Sequence, residues 1–442
     1  MPLTIVESRE AMRSGRVSSV ALVSKCLDRI KSADGEGPRT FLRVNDGVLS
    51  DAAGLDAHDP RPLSGVPISI KDLFDEAGVI TTAGSVVLAE APAASRDAEI
   101  IRRLRAAGAL IIGRTNMTEF AFSGLGLNPH YGTPRSPFER AIGRIPGGSS
   151  SGAAVSVCDG MAIAAIGTDT GGSTRIPAAF CGLVGFKPTV GRIPTEGVFP
   201  LAPTFDSVGP IAWSVADCRI LDQILSGIES PVIIREPRSL HLGVATGLPF
   251  EEMDAAVATT LEAAFGRLTS AGVSLEDTVG FDWSAPGRLL ATGQVSSVEA
   301  RACHDALFAR RAQYDPRVAA RIAIGEGVRA VDYVLARQRL RDLQVQAARQ
   351  FDRFDALLLP TVSCVAPAIS ELATDEAYFR ANTRVLRNTV IANALGLCAI
   401  TIPIHAPKCA PVGLMLMGPP HFDSHLLDVA TVIEGIVAAG YF

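Results

Sequence analysis

The chain predicts an α/β fold, and three observations carry the prediction. Val66–Ile70 and Ala109–Ile112 are short apolar runs rich in β-branched residues. Between them Ile100, Ile101 and Leu104 recur at helical spacing. A third pair of patterns, a helix over Ala153–Ala162 and a buried strand over Ala162–Gly167 ending in Thr168-Asp169, repeats the alternation. Strand, helix and strand in that order call for parallel pairing through a right-handed crossover.

Taken in order, residues 4–33 carry two helical patterns, the second capped at Ser18 or Ser19. Phe41–Val44 predicts a short strand and Val48–Leu55 a helix. After the Pro60–Pro62 loop, Val66–Ile70 places Lys71 at a strand's C-terminal end, the edge where open α/β sheets collect ligands. A helix from Asp97 ends at Gly108. Tyr131–Arg144, rich in Pro and Arg, is a loop. Ser214 caps a helix through Leu221 and Ile224, and residues 227–240 form a connection. Strands are expected over Leu240–Val244, Phe354–Thr361, Ala399–Pro403 and Val412–Met417, with helices over Met253–Leu268, Arg384–Leu395 and Leu426–Val437. Residues 285–350 are helical and arginine-rich. Their run Arg301, Arg310, Arg311, Arg317, Arg321 predicts a solvated helical face, with carboxylate binding as the alternative.

Composition narrows the function classes. The chain has 442 residues and a net charge of −5, with a pI of about 5.9, so it offers no basic field for nucleic acid or anionic lipid. Eight scattered cysteines form no Cys-x-x-Cys pair and no zinc spacing; they predict reduced thiols in a cytoplasmic protein. The N-terminus lacks a signal-peptide pattern and no apolar run reaches a membrane span. No metal and no cofactor are expected.

The chemistry is expected between Gly147 and Thr189. Two glycine–serine turns, Gly147–Gly152 and Gly171-Gly172-Ser173, flank an almost unbroken apolar segment. Such clusters are ordinarily turns or linkers. A linker, however, is not followed by a long buried run and then by Arg175, Pro177 and Lys187. Neither turn carries the Gly-Lys-[Ser/Thr] of a phosphate-binding loop. A serine nucleophile with backbone N–H groups gathered around it remains.

These motifs, Gly147–Gly152, Gly167–Pro177 and Gly185–Thr189, together with Val66–Asp72 upstream, resemble the amidase signature family, strongly from about residue 60 to 220 and more weakly to the C-terminus. The resemblance implies an amidase-signature fold, a central mixed β-sheet covered by helices on both faces. It implies one amidase domain over 1–442: an N-terminal helical segment (1–60), a signature core (61–225), and a variable substrate-specificity region with C-terminal strands and helix (226–442). It also implies a Ser–Ser–Lys triad. Ser173 is the nucleophile, Ser149, 24 positions earlier, the bridge, and Lys71 the base. Gly148–Ser149 is a cis peptide. The N–H groups of Thr170, Gly171, Gly172 and Ser173 form the oxyanion hole, whose glycines leave room for a carbonyl oxygen. Asp169 and Arg175 flank the nucleophile and are expected to pair and brace the loop, with a direct substrate role as the alternative. Thr115–Phe120 resembles a family segment bordering the cleft, its polar groups serving either substrate contact or helix caps; Asp72, opposite Lys71 in strand alternation, Lys187 before Pro188 and the loop residue His130 are read as structural.

Amides resist attack because resonance quenches the carbonyl, so the enzyme must supply a nucleophile, an oxyanion site and a proton for the leaving nitrogen. Lys71 can act as base only when neutral, which requires burial to lower its pKa. The expected activity is hydrolysis of a small carboxamide through an acyl-enzyme on serine, releasing ammonia or an amine. The alternatives are a biuret- or allophanate-type ureide hydrolase and the glutaminase component of a tRNA-dependent amidotransferase. The partner is a small-molecule amide, with no direct nucleic acid and no membrane; self-assembly is left open, a homodimer included.

Overall fold

Eleven strands share one sheet in the computed structural model, which describes residues 4–55 and 59–437. In chain order they are β1 Phe41–Val44, β2 Pro67–Lys71, β3 Leu110–Thr115, β4 Ala164–Asp169, β5 Val184–Lys187, β6 Ser207–Ala212, β7 His241–Val244, β8 Ser274–Asp277, β9 Ala356–Pro360, β10 Cys398–Pro403 and β11 Gly413–Gly418. Their order across the sheet is β1-β3-β2-β4-β6-β5-β10-β11-β9-β7-β8. β2 runs parallel to β3 and β4, as the strand–helix–strand pattern requires, and β7 runs parallel to β8 and β9. The centre, from β4 to β9, is antiparallel, so the sheet is mixed.

Alternation along the strands explains why both faces are covered. Ile166, Leu358 and Ile400 enter one large apolar cluster with the helices Glu99–Ala106, Val215–Ser226, Ala255–Ser270 and Asp423–Val437. Their chain neighbours Ala165, Leu357 and Ala399 face the other side, under the helices Ser151–Cys158, Arg175–Cys181 and Thr389–Ala394. No described helix is long and apolar enough to cross a membrane.

Four expectations differ in detail. The first signature helix spans Ser151–Cys158 rather than Ala153–Ala162, because Asp159 caps it and Gly160 turns left-handed at φ 68°. Arg384–Leu395 is split into helices Asp375–Leu386 and Thr389–Ala394. Asn388 at the break donates to Pro249 O and Pro360 O, and Thr389 donates to Gly171 O. Strands β5, β6 and β8 were not predicted as strands. The arginine run is not one face: Arg301 pairs with Asp305 and Glu326, Arg311 with Glu326, and Arg317 with Asp375.

Candidate active site

The site grows from the C-terminal ends of β2 and β4, which lie side by side in parallel register, Ile70 opposite Ile166. Lys71 closes β2 and is fully buried. Its Nζ donates to Ser149 Oγ at 2.7 Å and to Thr168 Oγ1 at 2.8 Å. Burial pulls the Lys71 ammonium down to about 7, against the opposing pull of the Asp169 and Asp206 charges. At neutral pH a large fraction of this amine is therefore unprotonated.

Ser149 is delivered by the loop that precedes the Ser151–Cys158 helix. The Gly148–Ser149 peptide is cis. Gly148 N donates to Gly124 O at 2.8 Å, and Ser149 O accepts from Thr118 N at 3.1 Å. Only glycine fits at 148, where a Cβ would stand 2.5 Å from Gly126 N. Gly148–Gly152 also satisfies the letters of the G-x-S-x-G elbow. Its central Ser150 is fully buried and donates to Thr168 O, and no strand leads into it.

The second turn hangs on Asp169, the last residue of β4. Its carboxylate is fully buried and accepts from Gly172 N at 2.8 Å, Thr174 N at 3.1 Å and Thr174 Oγ1 at 2.9 Å. Arg175 meets it through Nε at 3.0 Å and a terminal nitrogen at 2.9 Å, and Asn393 donates at 2.8 Å. The guanidinium, its first favourable partner, holds the Asp169 carboxyl well below the usual range despite burial. Arg175 in turn donates to Thr389 O and Asn393 Oδ1. Ser173 lies in this turn at 5% exposure, and its hydroxyl makes no hydrogen bond among the described residues.

This arrangement corrects one expectation. Of the four N–H groups assigned to the oxyanion hole, that of Gly172 is committed to Asp169. Those of Thr170, Gly171 and Ser173 have no acceptor among the described residues. The two glycines also differ in purpose. Gly172 sits at φ 133°, where a Cβ would fall 2.2 Å from Thr389 Oγ1, whereas a Cβ on Gly171 would make ordinary contacts at 3.5 Å or more.

The other quoted residues fall outside this group. Asp72 pairs with Arg114 at 2.6 Å and accepts from Thr82. His130 meets Glu119 at 3.0 Å. Lys187 is buried, donates to Pro188 O at 2.8 Å, and is pulled down to about 8 by burial. Sequence reasoning missed Thr168 as a partner of Lys71, and missed Thr389 and Asn393. The last two reach the turn from 218 and 224 positions away, a separation no local motif encodes. Among the described residues no cluster of His, Cys, Asp and Glu suits a metal ion.

The chain is similar to known proteins along nearly its whole length. The model of the Amidase family matches residues 21–427. A 2-amino-5-chloromuconic acid deaminase of Comamonas testosteroni is 35% identical, over 99% of this chain and 97% of its own. The A component of the glutamyl-tRNA(Gln) amidotransferase of Koribacter versatilis (strain Ellin345) is 32% identical, over 99% of each chain. A crystal structure of an amidase superposes with a TM-score of 0.88 at 28% identity, covering 98% of this chain and 100% of the other. The chain belongs to the Amidase family and is a hydrolase of amide C–N bonds.

Proposed function

We propose that the chain cleaves a small amide through an acyl-enzyme on Ser173. The carrying observation is a fully buried lysine, lowered to about 7, whose Nζ lies 2.7 Å from Ser149 Oγ. Ser173 Oγ attacks the carbonyl carbon while its proton passes to Ser149, whose own proton passes to neutral Lys71. The N–H groups of Thr170, Gly171 and Ser173 receive the oxyanion. The proton returns along the same path to the leaving nitrogen, the C–N bond breaks, and ammonia or an amine departs. Water, deprotonated by the same relay, then hydrolyses the ester to a carboxylic acid and restores Ser173. Asp169, Arg175 and Gly148 hold the two serine loops.

The substrate class is an amide that also bears a carboxylate. Arg321 supports it. Unlike Arg301, Arg311 and Arg317, it has no carboxylate partner among the described residues; it donates to Phe122 O and stacks on the Phe122 ring at 4.2 Å. Phe122 lies two residues from Gly124, and the Leu386 side chain bridges from Gly124 to Gly171. A half-buried guanidinium without a counter-ion favours an anionic ligand. The Comamonas relative, named for its action on a muconic acid, points the same way. Arg321 thus takes the alternative reading of the arginine run. A glutaminase role is the second reading, favoured by the similarity to the amidotransferase component. We further take the chain as one domain, because all eleven strands join one sheet, and place it in the reducing cytoplasm, on its eight free cysteines.

The test is ammonia or amine release from carboxamides with and without a carboxylate, from ureides, and from glutamine, comparing wild type with Ser173→Ala. Release confined to carboxylate-bearing amides and abolished by the substitution is expected. Release that survives Ser173→Ala removes the nucleophile assignment. Release from glutamine only when the other components of an amidotransferase are added selects the second reading.

A further inference from the structure

Asp206 has no part in the relay above, yet it ties the Ser173 turn to the neighbouring strand. It stands one residue before β6, whose Ser207 lies opposite Asp169 in the antiparallel ladder and donates to Asp169 O at 2.9 Å. Asp206 Oδ1 accepts from Thr170 Oγ1 at 2.6 Å. Its Oδ2 accepts from Leu201 N at 2.9 Å and Ala202 N at 3.1 Å. The backbone N–H groups can only donate, and with the Thr170 hydroxyl they favour the ionised form of the carboxyl. Burial raises the carboxyl, and these donors together with Lys71 act against it. No arginine or lysine is bonded to it among the described residues. Lys71 feels its charge, and so does the Cys303 thiol at the end of the Ser296–Cys303 helix.

We propose that Asp206 is a positioning residue for the Ser173 turn: it anchors the Thr170 side chain, and with it the Thr170 and Gly171 N–H groups, and presents a fixed anion to Lys71. Thr170 is the first residue after β4, so its side chain is the point at which the turn can be held from outside. Asp169 holds the same turn from within, at Gly172 and Thr174. Two carboxylates therefore grip one turn from opposite ends, and Thr170, Gly171 and Ser173 keep their N–H groups free.

The charge has a separate consequence. Groups facing Lys71 are the Ser149 and Thr168 hydroxyls and the Asp169 and Asp206 carboxylates. Both anions favour the ammonium form and oppose desolvation. Neutralising Asp206 lowers the pH at which Lys71 loses its proton, and the acid limb of activity moves to lower pH. Removing the Thr170 hydroxyl disturbs the turn but leaves the charge in place, so it lowers the rate without moving the limb.

This inference rests on the Lys71–Ser149–Ser173 relay, and the experiment separates the two. The rate of covalent labelling by a fluorophosphonate is measured from about pH 5 to about pH 9 for wild type, Asp206→Asn, Thr170→Val, Thr170→Ser and Ser173→Ala. Asp206→Asn is expected to shift the acid midpoint down by about half a pH unit or more, a modest charge–charge effect. Thr170→Val is expected to lower the plateau about tenfold with the midpoint unmoved, and Thr170→Ser to restore it. An unmoved or raised midpoint in a folded Asp206→Asn protein, or a wild-type plateau in Thr170→Val, overturns the proposal. Should Asp206→Asn fail to fold, the Thr170 pair decides the anchoring role alone. Labelling that persists in Ser173→Ala instead refutes the relay.

Discussion

Lys71 concentrates the physical conflict of the site. A primary amine ordinarily protonated at neutral pH is enclosed by apolar β2 and β4, and burial lowers it from 10.5 to about 7. The proposed base role requires the neutral amine, so turnover should rise as pH increases through about 7 and fall away below it. The same shift bears on stability. The unfolded chain holds the Lys71 proton up to about 10.5 and the folded chain only to about 7. Stability therefore increases with pH across that interval as far as this residue is concerned. Lys71→Met should cut fluorophosphonate labelling by roughly 10²–10⁴-fold, the usual worth of a general base, while melting no lower than wild type at neutral pH. A Lys71→Met protein that labels at the wild-type rate would show that the serines find their base elsewhere. Lys71, Ser149 and Ser173 were singled out from the sequence through the family resemblance of the motifs that hold them, and the fold brings Lys71 and Ser149 into contact. Thr168 was not, since a threonine at a strand end carries no signal until the amine beside it is seen.

At the scale of the element, the turn joining β4 to the Arg175–Cys181 helix explains what a glycine pair accomplishes. Gly172 is required by its φ of 133° and by Thr389, whose hydroxyl occupies the place a Cβ would take. Gly171 has room. Gly172→Ala should therefore force the turn apart, lowering the melting temperature and abolishing labelling. Gly171→Ala should keep the wild-type melting temperature, so that any loss of rate reports on access to the carbonyl oxygen. Equal melting temperatures for the two variants would contradict this division. The sequence argument expected both glycines to clear space for substrate, because the partner that crowds Gly172 comes from a distant helix. The same limit governs the strands. β2, β4 and β9 were legible as continuous apolar runs buried on both faces. β8, Ser274–Asp277, is an edge strand with polar, largely exposed residues, and β6 contains Gly209 and Pro210; neither presents a strand pattern, and each is held by its neighbours. The break at Asn388 escaped for a related reason, since its side-chain partners, Pro249 and the last residue of β9, lie beyond any helical window.

Across the whole molecule, two carboxyls, buried Asp217 and half-buried Glu434, tie the first and last described helices to the Val215–Ser226 helix. Asp217, in the Val215–Ser226 helix, accepts from Ile5 N at 3.0 Å at the start of the Ile5–Arg13 helix. Glu434, in the closing Asp423–Val437 helix, accepts from Val215 N at 2.9 Å. Desolvation raises each carboxyl to about 7, and Asp217 and Glu434 repel one another, with Glu7 adding to the charge on Asp217. Nothing in the sequence announces this, because two acids so far apart along the chain share no motif, although the mixed α/β architecture around them was legible from alternation and resemblance. Raised carboxyls mean that the folded chain binds more protons than the unfolded one between about pH 4.5 and about pH 7. Their contribution is thus present at acid pH and lost as pH rises through about 7. Glu434→Gln keeps the acceptor for Val215 N and fixes the neutral state. The variant should melt with wild type near about pH 4, where Glu434 is protonated in the folded and the unfolded chain alike, and above it near about pH 8, by a few degrees. Comparing the two proteins at each pH cancels the titrating groups that do not interact with Glu434, Lys71 included; Asp217, relieved of its neighbour's charge, adds to the gain of the variant near about pH 8. A difference in melting temperature that stays constant across this range would mean that Glu434 is ionised in the fold throughout, and that burial does not raise its carboxyl.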